Sequence, residues 1–169
     1  MKEKLHIWED DNGKQPPIHL LLVDDEFSFV EVMSQRLRKR GFMVTAAVSG
    51  QNALSRLEAN KNIEVVILDV KMPGMDGIET LQMIRKNRPL VKIIMLTGHA
   101  TINSAINAMK LGAFDYLMKP CDINELVFKV TKAAHVKRNH ETKIREARMR
   151  PYISKRDKDQ IISKILDSY

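Results

Sequence analysis

The chain has 169 residues, 44% of them apolar, one cysteine and a net charge of +7. That length allows one α/β domain with a proper core plus short extensions, and no second large domain. No aliphatic run is long enough to cross a bilayer, the polar start MKEKLHIWEDD lacks a signal-peptide apolar region, and the lone Cys121 permits neither an internal disulfide nor a cysteine metal cluster. The expectation is a soluble cytoplasmic protein without membrane insertion.

In chain order, short apolar segments alternate with longer ones of helical spacing. IHLLLV (18–23) reads as a first strand and is followed by a helix carrying Val30, Met33 and Leu37 that stops at Gly41. MVTAAV (43–48) is a second strand, and Ser49 opens a helix with Ala53, Leu54 and Leu57. EVVILD (64–69) is a third. Asp76 and Glu79 then have capping-box spacing ahead of Ile78, Leu81 and Ile84, and Pro89 closes that helix. VKIIML (91–96) precedes a helix repeating Ile102, Ala105, Ile106 and Met109, which ends at Gly112. FDYLMK (114–119) precedes a fifth helix that begins near Asp122 and runs through Leu126, Val127, Val130 and Ala134. Five βα units in succession predict a doubly wound, five-stranded parallel sheet with helices on both faces.

In a parallel sheet every strand ends on the same edge, where open α/β folds place their ligands. Here the first strand ends in Asp24, Asp25 and Glu26, the third in Asp69, the fourth in Thr97 and Gly98, and the fifth in Lys119 and Pro120. Carboxylates crowded together either take up a proton or hold a cation, and an all-oxygen set with few protein donors suits Mg²⁺. A carboxylate beside that ion can attack phosphorus, and the phosphoryl oxygens then need donors such as a lysine and a hydroxyl. Considered alone, Asp24 and Asp25 fit equally well as caps of the first helix.

With these residues in this order, the chain resembles a receiver domain of the two-component response regulator family. The resemblance covers about residues 18–136 and rests on LLVDDE, LDVKMPGMDG, MLTG and FDYLMKP. It implies the flavodoxin-like strand order 2-1-3-4-5 and Asp69 as phosphoacceptor. Asp25 and Asp69 would ligate Mg²⁺, with Asp24 acting through water or hydrogen bonding and the Lys71 backbone carbonyl as a further ligand. The resemblance further implies that Thr97 and Lys119 contact the phosphoryl group, that Tyr116 changes rotamer on activation in concert with Thr97, and that the peptide before Pro120 is cis. Its partners would be a histidine kinase or histidine phosphotransfer protein, a downstream protein, and a second copy of the chain docked around the fourth and fifth helices. Lys71 and His99 flank the site, where they shield the phosphoryl group or stand as plain solvated side chains, and Gly98 leaves room for a phosphodonor.

Two other functions compete with this one. A phosphatase of the haloacid-dehalogenase type would want a second Asp two residues after Asp69, where this chain has Lys71. A nucleic-acid-binding or transcription regulator would use the basic tail. Lys and Arg number 3 against 4 acids in residues 1–17, 15 against 12 in 18–136 and 10 against 5 in 137–169. Such a run usually marks a solvated face, and nucleic-acid contact is not expected. The chain thus divides into an N-terminal extension (1–17), the receiver (18–136) and a basic C-terminal extension (137–169). In the last, KRNHETKIREARMR continues a helix up to Pro151, and Ser154 caps a short one carrying Ile161, Ile162, Ile165 and Leu166. One or two turns of apolar face form no core alone, so that helix either packs on the receiver or forms a partly ordered tail, or it serves as a docking or dimerisation element.

Overall fold

Alternation along the buried strands sorts their side chains onto two faces. In the computed structural model, which describes residues 16–168, the strands are β1 (His19–Val23), β2 (Met43–Ala47), β3 (Val65–Leu68), β4 (Lys92–Thr97) and β5 (Asp115–Met118). They form one parallel sheet in the order β2-β1-β3-β4-β5, and Leu22 stands beside Ala46 on one side and Ile67 on the other. Leu20, Leu22, Val65, Ile67, Ile94 and Leu96 face α1 (Phe27–Arg38) and α5 (Ile123–Met149). Leu21, Val23, Val66, Leu68, Ile93 and Met95 face the other layer, made of α2 (Gly50–Ala59), α3 (Gly77–Asn87) and α4 (Ile102–Lys110). Both faces are covered, so the strands read as unbroken apolar runs. The fold class is the expected one.

Local signals act where their chemistry places them. The Ser49 hydroxyl accepts from the Asn52 N–H at 3.1 Å, and Asp76 and Glu79 close a reciprocal capping box. Asp122 accepts from the N–H groups of Asn124 and Glu125 at the start of α5. In α4 the repeat that announces the helix faces outward: Ile102, Ile106 and Met109 are exposed, and only Ala108 is buried.

The boundary drawn after Val136 falls inside α5, which runs unbroken to Met149. The spacing of Leu126, Val130, Ala133, Lys137, His140, Ile144 and Ala147, all buried, keeps one stripe of the helix inward along its length. Arg138 fixes this continuation to the sheet, with Nε and Nη2 donating to Glu64 at 2.6 and 2.7 Å and Nη2 also reaching the Pro16 carbonyl at 3.1 Å. A turn through Pro151 and Tyr152, whose φ is +64°, leads to α6 (Lys155–Asp167). That helix lies back along α5, and Lys158 Nζ donates to the Arg148 carbonyl at 3.0 Å. Ile161, Ile162, Ile165 and Leu166 are half-buried, and α6 packs along α5. Of the N-terminal extension, residues 1–15 lie outside the described residues, as does Tyr169. Among the described residues no helix is long and apolar enough to cross a membrane.

Candidate functional site

Backbone pairing carries the two central strands into the site. The N–H of Asp69 donates to the Val23 carbonyl at 3.0 Å and that of Asp24 to Ala47 at 3.2 Å, which holds Asp24 and Asp69 side by side just past β1 and β3. With Asp25 they form a group whose carboxylate oxygens lie within 4.8 Å of one another. Asp24 and Asp69 are buried and Asp25 is exposed.

The three acids are not equivalent. Asp24 is the compensated one: Lys119 pairs with Oδ2 and the Glu26 N–H donates to Oδ1 at 3.0 Å. Asp24 therefore serves the turn into α1, but Glu26 is the residue at the N-cap. The Lys119 ammonium also sits 3.9 Å from the Phe29 ring centre, where a cation gains from the ring face. Asp69 accepts from its neighbour Val70 at 2.9 Å. Burial pushes its carboxyl above the ordinary range, and the Asp24 charge adds to that; the Thr97 hydroxyl, Lys119 and the Val70 N–H pull the other way. Asp69 is thus a carboxylate short of positive charge.

Thr97 is fully buried at the end of β4, and its hydroxyl accepts from the His99 N–H at 3.1 Å. The Lys119 N–H donates to the Thr97 carbonyl at 2.9 Å, which brings β5's end beside β4's, and the Lys119–Pro120 peptide is cis. Tyr116 is half-buried on β5, and its hydroxyl pairs with Ser104 Oγ of α4 at 2.9 Å. Lys71 and His99 are exposed beside the site, and the space a side chain at Gly98 would take is open. The structure therefore gathers Asp24, Asp25, Asp69, Thr97 and Lys119 at one edge, with Lys71 and His99 at its margin and Tyr116 turned to α4.

Residues 20–131 match the family described as the response regulator receiver domain. The chain belongs to that family. A putative NtrX-like response regulator of Rickettsia conorii is 37% identical over 121 residues, 70% of this chain and 25% of that protein. The DNA-binding transcriptional regulator NtrC of Salmonella typhimurium is 38% identical over 112 residues, 66% of this chain and 24% of that one. The crystal structure of a response regulator receiver domain protein from Clostridium thermocellum superposes with a TM-score of 0.69 at 36% identity, covering 72% of this chain and 97% of that one. The chain spans about a quarter of the length of the curated relatives it matches.

Receiver domains generally bind Mg²⁺ at an acidic pocket, and the donor set here fits a hard cation. It is all oxygen, it holds three carboxylates against one ammonium, and one of its acids is open to solvent for the waters that Mg²⁺ retains.

Three residues of this receiver's site escaped the sequence reading. Gly77 opens α3 against the phosphoacceptor strand: a Cβ there would lie 2.0 Å from the Asp69 carbonyl oxygen and 2.7 Å from Val70 Cα. A poor helix former directly behind a capping Asp was the available signal. Phe29 under Lys119 and Ser104 against Tyr116 carried none, since each depends on a contact between distant segments.

Proposed function

We propose that the chain is a phosphorylation-controlled signalling module whose Asp69 accepts a phosphoryl group from a histidine kinase or histidine phosphotransfer protein. The observation that supports this reading most is the placement of Asp69 beside Asp24 and Asp25, with Thr97 and Lys119 on the neighbouring strand ends. In the step, an Asp69 carboxylate oxygen forms a bond to phosphorus as the donor's bond to phosphorus breaks, and the donor's leaving group keeps that electron pair.

Asp24, Asp25, Asp69 and the Lys71 carbonyl would hold Mg²⁺. When bound, the ion offsets the carboxylate charge and polarises the phosphoryl oxygens. The chain's own groups do the rest. Lys119 exchanges part of its pairing with Asp24 for a phosphoryl oxygen, and the Thr97 hydroxyl donates to another. Gly98 keeps the donor's approach clear, and Lys71 and His99 set how readily water reaches the product. Thr97 drawn toward the phosphoryl group vacates space beside Tyr116, whose hydroxyl is tied to α4, and the surface of α4, β5 and α5 changes for the partner.

In this reading residues 18–136 form the receiver, and 137–169 an extension built on the same helix. Lys137 holds Glu141 at 2.5 Å, Arg138 holds Glu64, and Lys158 holds the Arg148 carbonyl, so three of the extension's cations are engaged within the fold.

Intact mass after incubation with Mg²⁺ and acetyl phosphate tests the proposal. The expected result is one phosphoryl adduct that requires Mg²⁺ and is lost in Asp69→Asn. A folded chain that takes up no adduct would instead be a constitutive binding module. Unchanged dephosphorylation rates in Lys71→Ala and His99→Ala would remove those two residues from the scheme.

A further inference from the structure

At the edge opposite the carboxylates, the tail of α5, α6 and the segment joining α3 to β4 enclose an open cleft of about 760 Å³. That volume lies within the range of small-molecule sites. Val91, Ile144, Ile162 and Leu166 form its apolar wall, the last two from the half-buried stripe of α6. Among the described residues its charged lining is Arg88, Lys137, Arg145, Arg148 and one acid, Glu141; Lys137 is paired with Glu141 and the Arg88 guanidinium donates to the Leu57 and Lys61 carbonyls, and the lining keeps a net positive charge.

The layer behind this wall holds a further buried lysine and a histidine kept uncharged by its surroundings. Lys92, next to Val91, is buried, and burial together with Arg85 pushes its ammonium down to about 8. His140, on the inward stripe of α5, is pushed down to about 4 by burial, Lys92 and Lys143. Its Nδ1 is buried without a hydrogen-bond partner. An excess of positive charge around an apolar-walled cleft produces a positive potential in it. The wall draws hydrocarbon or an aromatic ring, and the rim draws an anion.

We infer that this cleft binds a small molecule carrying an anionic group on an apolar or aromatic body. The site is separate from the phosphoacceptor and needs no phosphorylation. Because Ile162 and Leu166 belong to α6, an occupant would bridge that helix to the receiver body and hold it there.

A matched pair of probes tests the inference on the whole chain: 1-anilinonaphthalene-8-sulfonate and N-phenyl-1-naphthylamine, which share one aromatic body and differ in the sulfonate. The expected result is saturable binding of one sulfonate probe per chain, with amide shifts centred on residues 87–91, 141–149 and 161–167. The neutral probe binds at least about tenfold more weakly. Arg148→Glu, an exposed position whose fold is checked by far-UV circular dichroism, weakens the sulfonate probe by about tenfold. Lys155→Glu makes the same charge change outside the cleft and alters binding less than about twofold. Equal affinity for both probes, shifts centred on Ile102, Ile106 and Met109, no saturation, or equal losses in the two variants would each overturn the inference.

Discussion

The two edges of the sheet handle buried charge in opposite ways. At the edge where the strands begin, Glu64 is 7% exposed and meets Arg138 through two hydrogen bonds of 2.6 and 2.7 Å, with the His19 N–H on the same carboxylate at 3.4 Å. At the edge where they end, three carboxylates share one ammonium, and Lys119 is committed to Asp24, so that Asp69 has only neutral donors and a more distant cation to hold its charge. A satisfied buried ion pair joins elements together. An unsatisfied buried carboxylate is poised to take a cation or an electrophile, and the stability forgone there is a common mark of a functional site. Each edge can be pushed toward the other's condition by substitution.

The largest effect is expected from unpairing the satisfied edge. Arg138→Met leaves Glu64 buried and charged, which costs about 3–5 kcal/mol in urea unfolding. Adding Glu64→Gln removes the orphaned charge and recovers a large part of the loss. Equal stabilities for the single and double variants would mean that Arg138 contributes by packing and not by pairing.

Crowding the functional edge comes next. In Gly77→Ala the new methyl would sit 2.0 Å from the Asp69 carbonyl oxygen, and the neighbour it meets is backbone, which has little room to give. A cost of roughly 1–3 kcal/mol is expected, together with slower adduct formation because the same shift moves Asp69. Gly98→Ala faces open space and should leave stability within about 0.5 kcal/mol. A stable, fully reactive Gly77→Ala chain would show that α3 does not position the phosphoacceptor.

Relieving the functional edge has a smaller effect of the opposite sign. Burial holds the Asp69 carboxyl above the ordinary carboxylate range in the folded chain. An acid shifted upward contributes stability that is complete below its unfolded pKa and is lost as pH rises through the folded one. Without Mg²⁺, then, Asp69→Asn gains stability relative to wild type as pH rises through the carboxylate range, and the gain is complete by neutrality. Mg²⁺ raises the wild-type melting temperature through linkage and raises that of the Asn variant less. Melting curves at several pH values, with and without Mg²⁺, read both effects; a wild type more stable than Asp69→Asn in metal-free buffer would contradict the picture of a charge-starved carboxylate.

Strand identity, helix caps and the gathering of acids, hydroxyl and amine at one edge were legible because each depends on local periodicity or on the topology that periodicity dictates. EVVILD could be read as a buried strand, and its closing Asp as an edge residue, without any knowledge of neighbours. The extent of α5 was less legible: KRNHETKIREARMR is helical in pattern, but that Arg138 would reach Glu64, 74 positions away, has no local signature. Helical spacing in α4 identified the helix and not its buried side, since Ile102, Ile106 and Met109 face solvent while Ala108 packs inward. A periodic stripe states that a surface is apolar and leaves open what covers it.

The smallest expected effect tests whether the two halves of the functional edge communicate. Ser104 occupies the third position of α4, where its hydroxyl accepts from the Thr101 N–H at 3.0 Å while its own N–H donates to Thr101 Oγ1 at 3.0 Å. The same hydroxyl meets Tyr116 at 2.9 Å, so one oxygen serves both the cap of α4 and the aromatic on β5. Ser104→Ala removes both contacts, yet alanine is the better helix former, and the net cost in global stability should stay below about 1 kcal/mol. The consequence is local. Amides of residues 101–105 should exchange several-fold faster while β1, β3 and β4 keep their protection. Tyr116→Phe, which leaves the cap intact and removes only the phenolic oxygen, should reproduce part of that acceleration. Should Tyr116→Phe leave α4 exchange unchanged while Ser104→Ala quickens it, the cap would stand without help from β5, and any movement of Tyr116 would have to reach α4 through packing alone.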